Sequence, residues 1–138
     1  MTRTSAIGRN DWALAKRALL PGGLISVGSD VVTTEPHDGH TKQAAIWETG
    51  MDNSPMYDQV TWNSSVDKML IYDVGMTGEF LGETEALVEL AGILNMTDDV
   101  ALLKKRQTDM ADRVQKTLWN QASQIYLNYQ VPHTLPLC

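Results

Sequence analysis

The sequence predicts an all-α fold, and two apolar stripes joined by a short connection support that prediction. Apolar residues between positions 77 and 94, and again between 98 and 120, recur three and four residues apart, which is the spacing of one helix face. The stripes consist of Phe80, Leu87, Leu90, Ala91 and Leu94, and of Leu103, Met110, Val114 and Leu118. The connection at residues 95–97 is short enough to make the two helices antiparallel neighbours.

A shorter helix is predicted near the N-terminus, over residues 12–20. Asp11 would cap this helix, and the Pro-Gly-Gly sequence at 21–23 would stop it. Residues 28–45 are rich in Gly, Ser, Thr, Asp and His, which is typical of a loop. Residues 61–72 fit either a helix or a strand, because their apolar positions satisfy both periods.

The boundaries of the C-terminal half follow from capping residues and prolines. Thr97 and Asp98 are both good N-terminal caps, so the second long helix is expected to begin there and to run to about residue 120. Residues 131–138 contain two prolines and no periodicity, and are expected to be unstructured. The folded domain is therefore predicted to span residues 1–130.

Composition and charge exclude several classes of function. The chain carries 11 basic and 17 acidic residues, for a net charge of −6. This balance argues against a nucleic-acid or anionic-membrane partner, because both require clustered Lys and Arg. Cys138 is the only cysteine, so no disulfide can form within the chain. The sequence shows neither a signal peptide nor an apolar run of ~20 residues, so a cytoplasmic location is only the default expectation.

One loop segment holds residue types that bind metals. His37, Asp38 and His40 lie close together in the sequence, and histidine and carboxylate are common zinc ligands. Their spacing matches no known metal motif, and a flexible loop accounts for them without a metal. We therefore predict no metal site.

The most informative segment for function is W-E-T-G-M-D-N-S-P, at residues 47–55. It is a poor core element, because Glu and Asp are almost never fully buried unless they are paired, and Asn-Ser-Pro favours a turn. An acid on a rigid loop beside an aromatic ring suits carbohydrate chemistry: the ring stacks on a sugar, and the carboxyl group protonates the leaving oxygen. The alternative is a surface loop with a proline turn.

This segment resembles the W-E-S-G-M/L-D-N-S-P signature of glycoside hydrolase family 63 and the related mannosylglycerate hydrolases, with Thr49 in place of Ser. The resemblance covers about residues 22–129 and ends near Gln130. Further resembling segments lie, in order, at 57–58, 73–77, 83–87, 118–120 and 125–128. The resemblance implies part of an (α/α)6 barrel, an inverting α-glucosidase or α-mannosidase, an oligosaccharide or mannosylglycerate-like substrate, and no cofactor.

The resemblance also implies that Asp52 is the general acid. Such an acid must keep its proton near neutral pH, which burial or a neighbouring acid such as Glu48 would favour. The alternative is that Asp52 only begins an Asx turn into Asn53 and Ser54.

Five neighbouring residues have two interpretations each. Trp47 matches a position that lines the sugar pocket in the family, or it is a core tryptophan. Gly50 permits close approach of the substrate or only the turn. Asn53 and Tyr57 bind sugar hydroxyls or make structural hydrogen bonds, and Glu48 orients Asp52 or binds sugar.

The second carboxylate of an inverting glycosidase has no counterpart motif in this sequence. That general base must lie ~6.5–9.5 Å from the acid. In the family it lies far downstream, and the helical acids here are more simply a solvated face; these are Glu79, Glu83, Glu85 and Glu89. We therefore expect a fragment, or a chain completed by a partner that carries the rest of the barrel, with little or no activity alone. The rival hypotheses are an inactive helical remnant that binds sugar or a protein, and a plain helical interaction module.

Overall fold

The computed structural model describes residues 5–18, 20–28 and 40–132. Within these ranges the helices are α1 (Ser5–Arg17), α2 (Lys42–Glu48), α3 (Val74–Ile93) and α4 (Thr97–Thr117), with a 3-10 turn at Pro55–Tyr57. The strands are β1 (Trp62–Asn63), β2 (Lys68–Met69), β3 (Ile71–Tyr72), β4 (Trp119–Asn120), β5 (Ile125–Tyr126) and β6 (Tyr129–Gln130). Since each strand has only two residues, the helices carry the architecture and the predicted all-α class is confirmed.

The α3–α4 hairpin is the largest unit of the described chain. The two helices pack along each other, and Phe80, Leu103 and Met110 of the predicted stripes are buried. Asn95 has a φ of 56°, and the Met96 N–H donates to the Ala91 carbonyl at 2.9 Å, which closes the turn between the helices. In the part of the chain that the structure describes, no helix combines the length and apolarity needed to cross a membrane.

The ends of the hairpin helices differ from the prediction. Helix α3 begins at Val74 rather than near residue 77, because Asp73 Oδ1 accepts the Met76 N–H at 2.9 Å and caps the helix. The cap position of helix α4 is Met96, which makes no side-chain hydrogen bond to the helix. Thr97 and Asp98 lie inside the helix, so the predicted caps are wrong. It ends at Thr117, before residue 120, because Trp119 and Asn120 pair with β5 instead.

The first two helices also correct the sequence prediction. Helix α1 already includes Ser5 and ends at Arg17, so Asp11 lies within the helix and is not its cap. The Asp11 carboxylate forms an ion pair with Arg106 of α4. Helix α2 begins inside the segment predicted as a loop, and Thr41 Oγ1 caps it by accepting the Ala44 N–H at 3.1 Å. Residues 29–39 of that segment lie outside the described residues.

The ambiguous segment at 61–72 forms strands, and it separates two buried clusters. Met69 and Ile71 pack in a cluster with α2 and Tyr57, whereas Leu70 and Tyr72 pack in a cluster with the hairpin. Successive residues of an extended chain point to opposite sides, which explains the alternation. The segment leads directly into Asp73, so both clusters position the start of α3.

The C-terminal prediction needs correction at Val131. This residue is buried, and its N–H donates to the Leu70 carbonyl at 2.9 Å, next to the antiparallel pairing of β3 with β6. The folded region therefore extends past residue 130. Residues 133–138 of the predicted unstructured tail lie outside the described residues.

Candidate active site

The loop between α2 and the 3-10 turn, residues 49–54, is held by a series of local hydrogen bonds; we call it the signature loop. The Gly50 N–H donates to the Trp47 carbonyl at 3.1 Å, and the Ser54 N–H donates to the Met51 carbonyl at 2.9 Å. Gly50 has a φ of +68°, which favours glycine, so the turn by itself accounts for this residue. A Cβ at Gly50 would meet nothing within 4 Å, so the space above its backbone is also open.

Asp52 and Asn53 are exposed on the signature loop. Among the residues that the structure describes, none donates a hydrogen bond to the Asp52 carboxylate. The Asx turn considered for Asp52 is not formed there, because the Ser54 N–H bonds to the Met51 carbonyl. Of the two environments expected for Asp52, burial or a neighbouring acid, burial is not observed, so its carboxyl group is open to solvent and to a ligand.

Trp47 and Glu48, at the end of α2, have different environments. Trp47 is 48% exposed, so the interpretation as a core tryptophan is wrong. Glu48 Oε1 accepts hydrogen bonds from Arg17 Nε at 2.8 Å and from Arg17 Nη2 at 2.5 Å. Its carboxylate is thus paired with Arg17 of α1, a partner that no local sequence pattern indicates.

Tyr57 lies in the 3-10 turn that follows the signature loop. Its ring is fully buried, and its hydroxyl donates to Asp73 Oδ2 at 2.8 Å. Burial raises the pKa of Tyr57 well above its usual value, and the bond to Asp73 raises it further. Of the two interpretations of Tyr57, the structure shows the structural hydrogen bond.

Three segments that carry the family resemblance meet at one groove beside the signature loop. Its volume is about 560 Å³, and its lining is Met51, Met56, Asp73, Val74, Gly75, Tyr126, Leu127 and Asn128. Asn128 links two of the segments: its Oδ1 accepts the Val74 N–H at 2.8 Å, and its Nδ2 lies 3.0 Å from Met56 Sδ. Sequence reasoning found these segments but not the meeting of Asp73 and Asn128, because nothing local specifies that pairing.

The described lining of the groove contains one carboxylate, which limits its chemistry. Among the described residues that line it, Asp73 alone carries a carboxyl group. Asp73 is buried, and its two oxygens accept from Met76 and Tyr57. Each oxygen of this buried carboxylate already accepts a hydrogen bond from the protein, which favours a structural role over the activation of a water molecule. Asp52 directly follows the lining residue Met51 in the sequence, and it is exposed.

The predicted absence of a metal site rests on residues that are only partly described. His37 and Asp38 lie outside the described residues. His40 Nδ1 lies 2.6 Å from Asp67 Oδ2 on the surface. Within the described ranges, no three His, Cys, Asp or Glu side chains are grouped closely enough to hold a metal ion.

Comparison with known proteins identifies the family. A family model described as the mannosylglycerate hydrolase MGH1-like glycoside hydrolase domain matches residues 31–136, which is more than half of the chain. The chain belongs to this family. The match includes the signature loop, the groove and the hairpin; it extends past residue 130, where we expected the resemblance to end, and it leaves out α1. No curated protein and no solved structure gives a significant match.

Proposed function

We propose that this chain carries the acid half of the active site of an inverting α-glycosidase related to glycoside hydrolase family 63, with Asp52 as the general acid. The substrates would be α-linked glucosides or mannosides, including mannosylglycerate-like compounds. One observation carries the proposal: three separate segments of the family pattern converge on one groove, and Asp52 follows a residue that lines it. The Asp52 carboxyl group is exposed, so it is accessible to a glycosidic oxygen.

The neighbouring residues suit the binding of a sugar. Trp47 presents a half-exposed indole on which a sugar ring can stack. The exposed Asn53 amide offers both a donor and an acceptor to hydroxyl groups. The open space above Gly50 permits close approach of a ligand to the backbone. Glu48 would act by orienting the signature loop rather than by touching the sugar, because Arg17 engages its carboxylate.

We further propose that the general base belongs to the remainder of an (α/α)6 barrel, outside the groove-lining residues. The supporting argument is the state of Asp73, since hydrogen bonds use both of its oxygens. The same state of Asp73 favours the second candidate function, a domain that binds sugar without hydrolysing it. Both candidates predict sugar binding at the signature loop, and only the first predicts hydrolysis once the base is supplied.

Thermal unfolding with and without millimolar glucose, mannose or mannosylglycerate tests the sugar site. A ligand at ten times its Kd stabilises the folded state by about 1.4 kcal/mol, which raises the Tm by several degrees. We expect such a rise for one of these sugars, and we expect Trp47→Ala and Asp52→Asn each to remove it. Asp58→Asn is the matched control, because Asp58 is another exposed aspartate close by, and it should keep the full rise.

The outcomes separate the hypotheses. A rise that survives both Trp47→Ala and Asp52→Asn would place the sugar elsewhere and contradict the proposal. No rise with any of the sugars would favour the interaction module. Release of sugar from an aryl α-mannoside or α-glucoside separates the two candidates: hydrolysis that Asp52→Asn abolishes and that requires the remaining barrel supports the glycosidase.

A further inference from the structure

The Glu48 carboxylate depends on one partner. Arg17 is buried, with 3% of its side chain exposed, and two of its nitrogens donate to Glu48 Oε1. The other oxygen, Glu48 Oε2, is buried and accepts no hydrogen bond from any described residue. Within the described part of the chain, Arg17 therefore supplies every hydrogen bond that this carboxylate receives. Charge-assisted bonds of this kind are stronger than neutral ones, so the contact is stiff.

Hydrogen bonds in the turn that follows Glu48 connect this contact to the backbone that leads to Asp52. The Thr49 N–H donates to the Ile46 carbonyl at 3.1 Å, and the Met51 N–H donates to Thr49 Oγ1, also at 3.1 Å. Together with the Gly50 bond to Trp47, these bonds tie Thr49 and Gly50 to the last turn of α2, and tie Met51 to Thr49. A displacement of the α2 terminus therefore displaces Asp52.

Helix α1 is a suitable anchor because polar contacts hold it against the hairpin. The buried Asn10 donates to Thr84 Oγ1 of α3 at 2.8 Å and accepts from Arg106 Nη1 of α4 at 2.7 Å. The Arg17 guanidinium also lies 4.6 Å from the centre of the Trp12 ring on the same helix. The Arg17 side chain is therefore positioned by contacts other than its bonds to Glu48.

We propose that Arg17 is a positioning residue for Asp52, acting through Glu48 and the turn that follows α2. The importance of Asp52 in this inference rests on the proposed function, whereas the mechanical link does not. Arg17 lies outside the residues that the family model matches, so the link is carried by this structure and not by the comparison.

Amide hydrogen exchange, followed by NMR on the 138-residue chain, tests the link. Arg17→Met should accelerate exchange at Gly50 and Met51 about tenfold or more, as expected for loss of charge-assisted hydrogen bonds. Exchange within α4, at Leu103 and Met110, should stay unchanged. Arg17→Lys keeps the charge but not the two-nitrogen contact, so it should restore the wild-type rates in part.

A second readout distinguishes positioning from general stability. The 13C shift of the Asp52 carboxyl group should change in Arg17→Met and in Glu48→Gln, which removes the negative charge from the same contact. Arg113→Met is the matched control, because Arg113 donates to the Gly23 carbonyl at 2.9 Å and does not contact Glu48. If Arg17→Met does not fold, Glu48→Gln carries the same expectation.

Unchanged exchange in the signature loop, or equal acceleration at every amide, would overturn the inference. Neither readout needs a sugar, so its failure can be told apart from failure of the proposed function. If the loop responds but no sugar binds, the link stands and the proposed function fails. If a sugar binds and amide exchange in the loop is unchanged in Arg17→Met, the proposed function stands and the link fails.

Discussion

At the scale of single residues, the buried bond between Tyr57 and Asp73 joins the 3-10 turn that follows the signature loop to the start of α3. Tyr57→Phe removes the hydroxyl and leaves Asp73 Oδ2 without that donor. A hydrogen bond to a charged group contributes about 1.5–3 kcal/mol, so we expect a loss of that size in the free energy of unfolding at pH 7. Urea unfolding measures it, and a loss under about 0.5 kcal/mol would contradict the role assigned to the bond.

The same residue predicts a dependence on alkaline pH. Burial and Asp73 raise the pKa of Tyr57 above its unfolded value of about 10. The folded state therefore keeps a proton that the unfolded state loses, and this contribution declines as the pH rises above about 10. Burial also raises the pKa of Tyr72, so its contribution remains in Tyr57→Phe. The alkaline decline in stability should be shallower in Tyr57→Phe by the share of one group, and an equal slope would contradict this.

At the scale of secondary-structure elements, Asp73 joins the cap of α3 to Tyr57 in the 3-10 turn that follows the signature loop. Asp73→Ala loses the cap, worth about 1 kcal/mol, together with the acceptor of the Tyr57 hydroxyl. Asp73→Asn keeps an oxygen for the Met76 N–H, so its cost should be smaller. Because the residues share one bond, Tyr57→Phe combined with Asp73→Ala should cost less than the sum of the single changes. Strict additivity in urea unfolding would show that the two act independently.

The same elements show what the sequence could predict. The α3–α4 hairpin was predictable, because a stripe of apolar residues at helical spacing indicates a helix from the local sequence alone. Its exact ends were not, because Asp73 and Thr97 are both good caps by residue type and only the backbone decides which one caps. Strands of two residues are too short for periodicity to identify. Helix α2 was missed for a similar reason, since its seven residues form barely two turns.

At the scale of the whole molecule, contacts between distant polar residues decide how the elements fit together. Arg17 meets Glu48, and Asn10 meets Thr84, across 31 and 74 positions of sequence. No local pattern specifies such pairs, so the sequence located the signature loop but not the residues that hold it. The resemblance made Asp52 a candidate and located the segments of the groove. Only the fold shows that Asn128 joins the segments at 73–77 and 125–128.

Asn10 gives the sharpest test of this arrangement, because Arg106 contacts both a buried and an exposed residue of α1. Asn10→Ala leaves Thr84 Oγ1 without the donor that Asn10 supplies and Arg106 Nη1 without its acceptor, so we expect a loss of about 2–3 kcal/mol in the free energy of unfolding. Asp11→Ala removes only the exposed ion pair with Arg106, and should cost at most about 1 kcal/mol. Urea unfolding compares the two, and equal losses would contradict the anchoring of α1 through Asn10. Because α1 carries Arg17, Asn10→Ala should also accelerate amide exchange at Gly50, whereas Asp11→Ala should leave it unchanged.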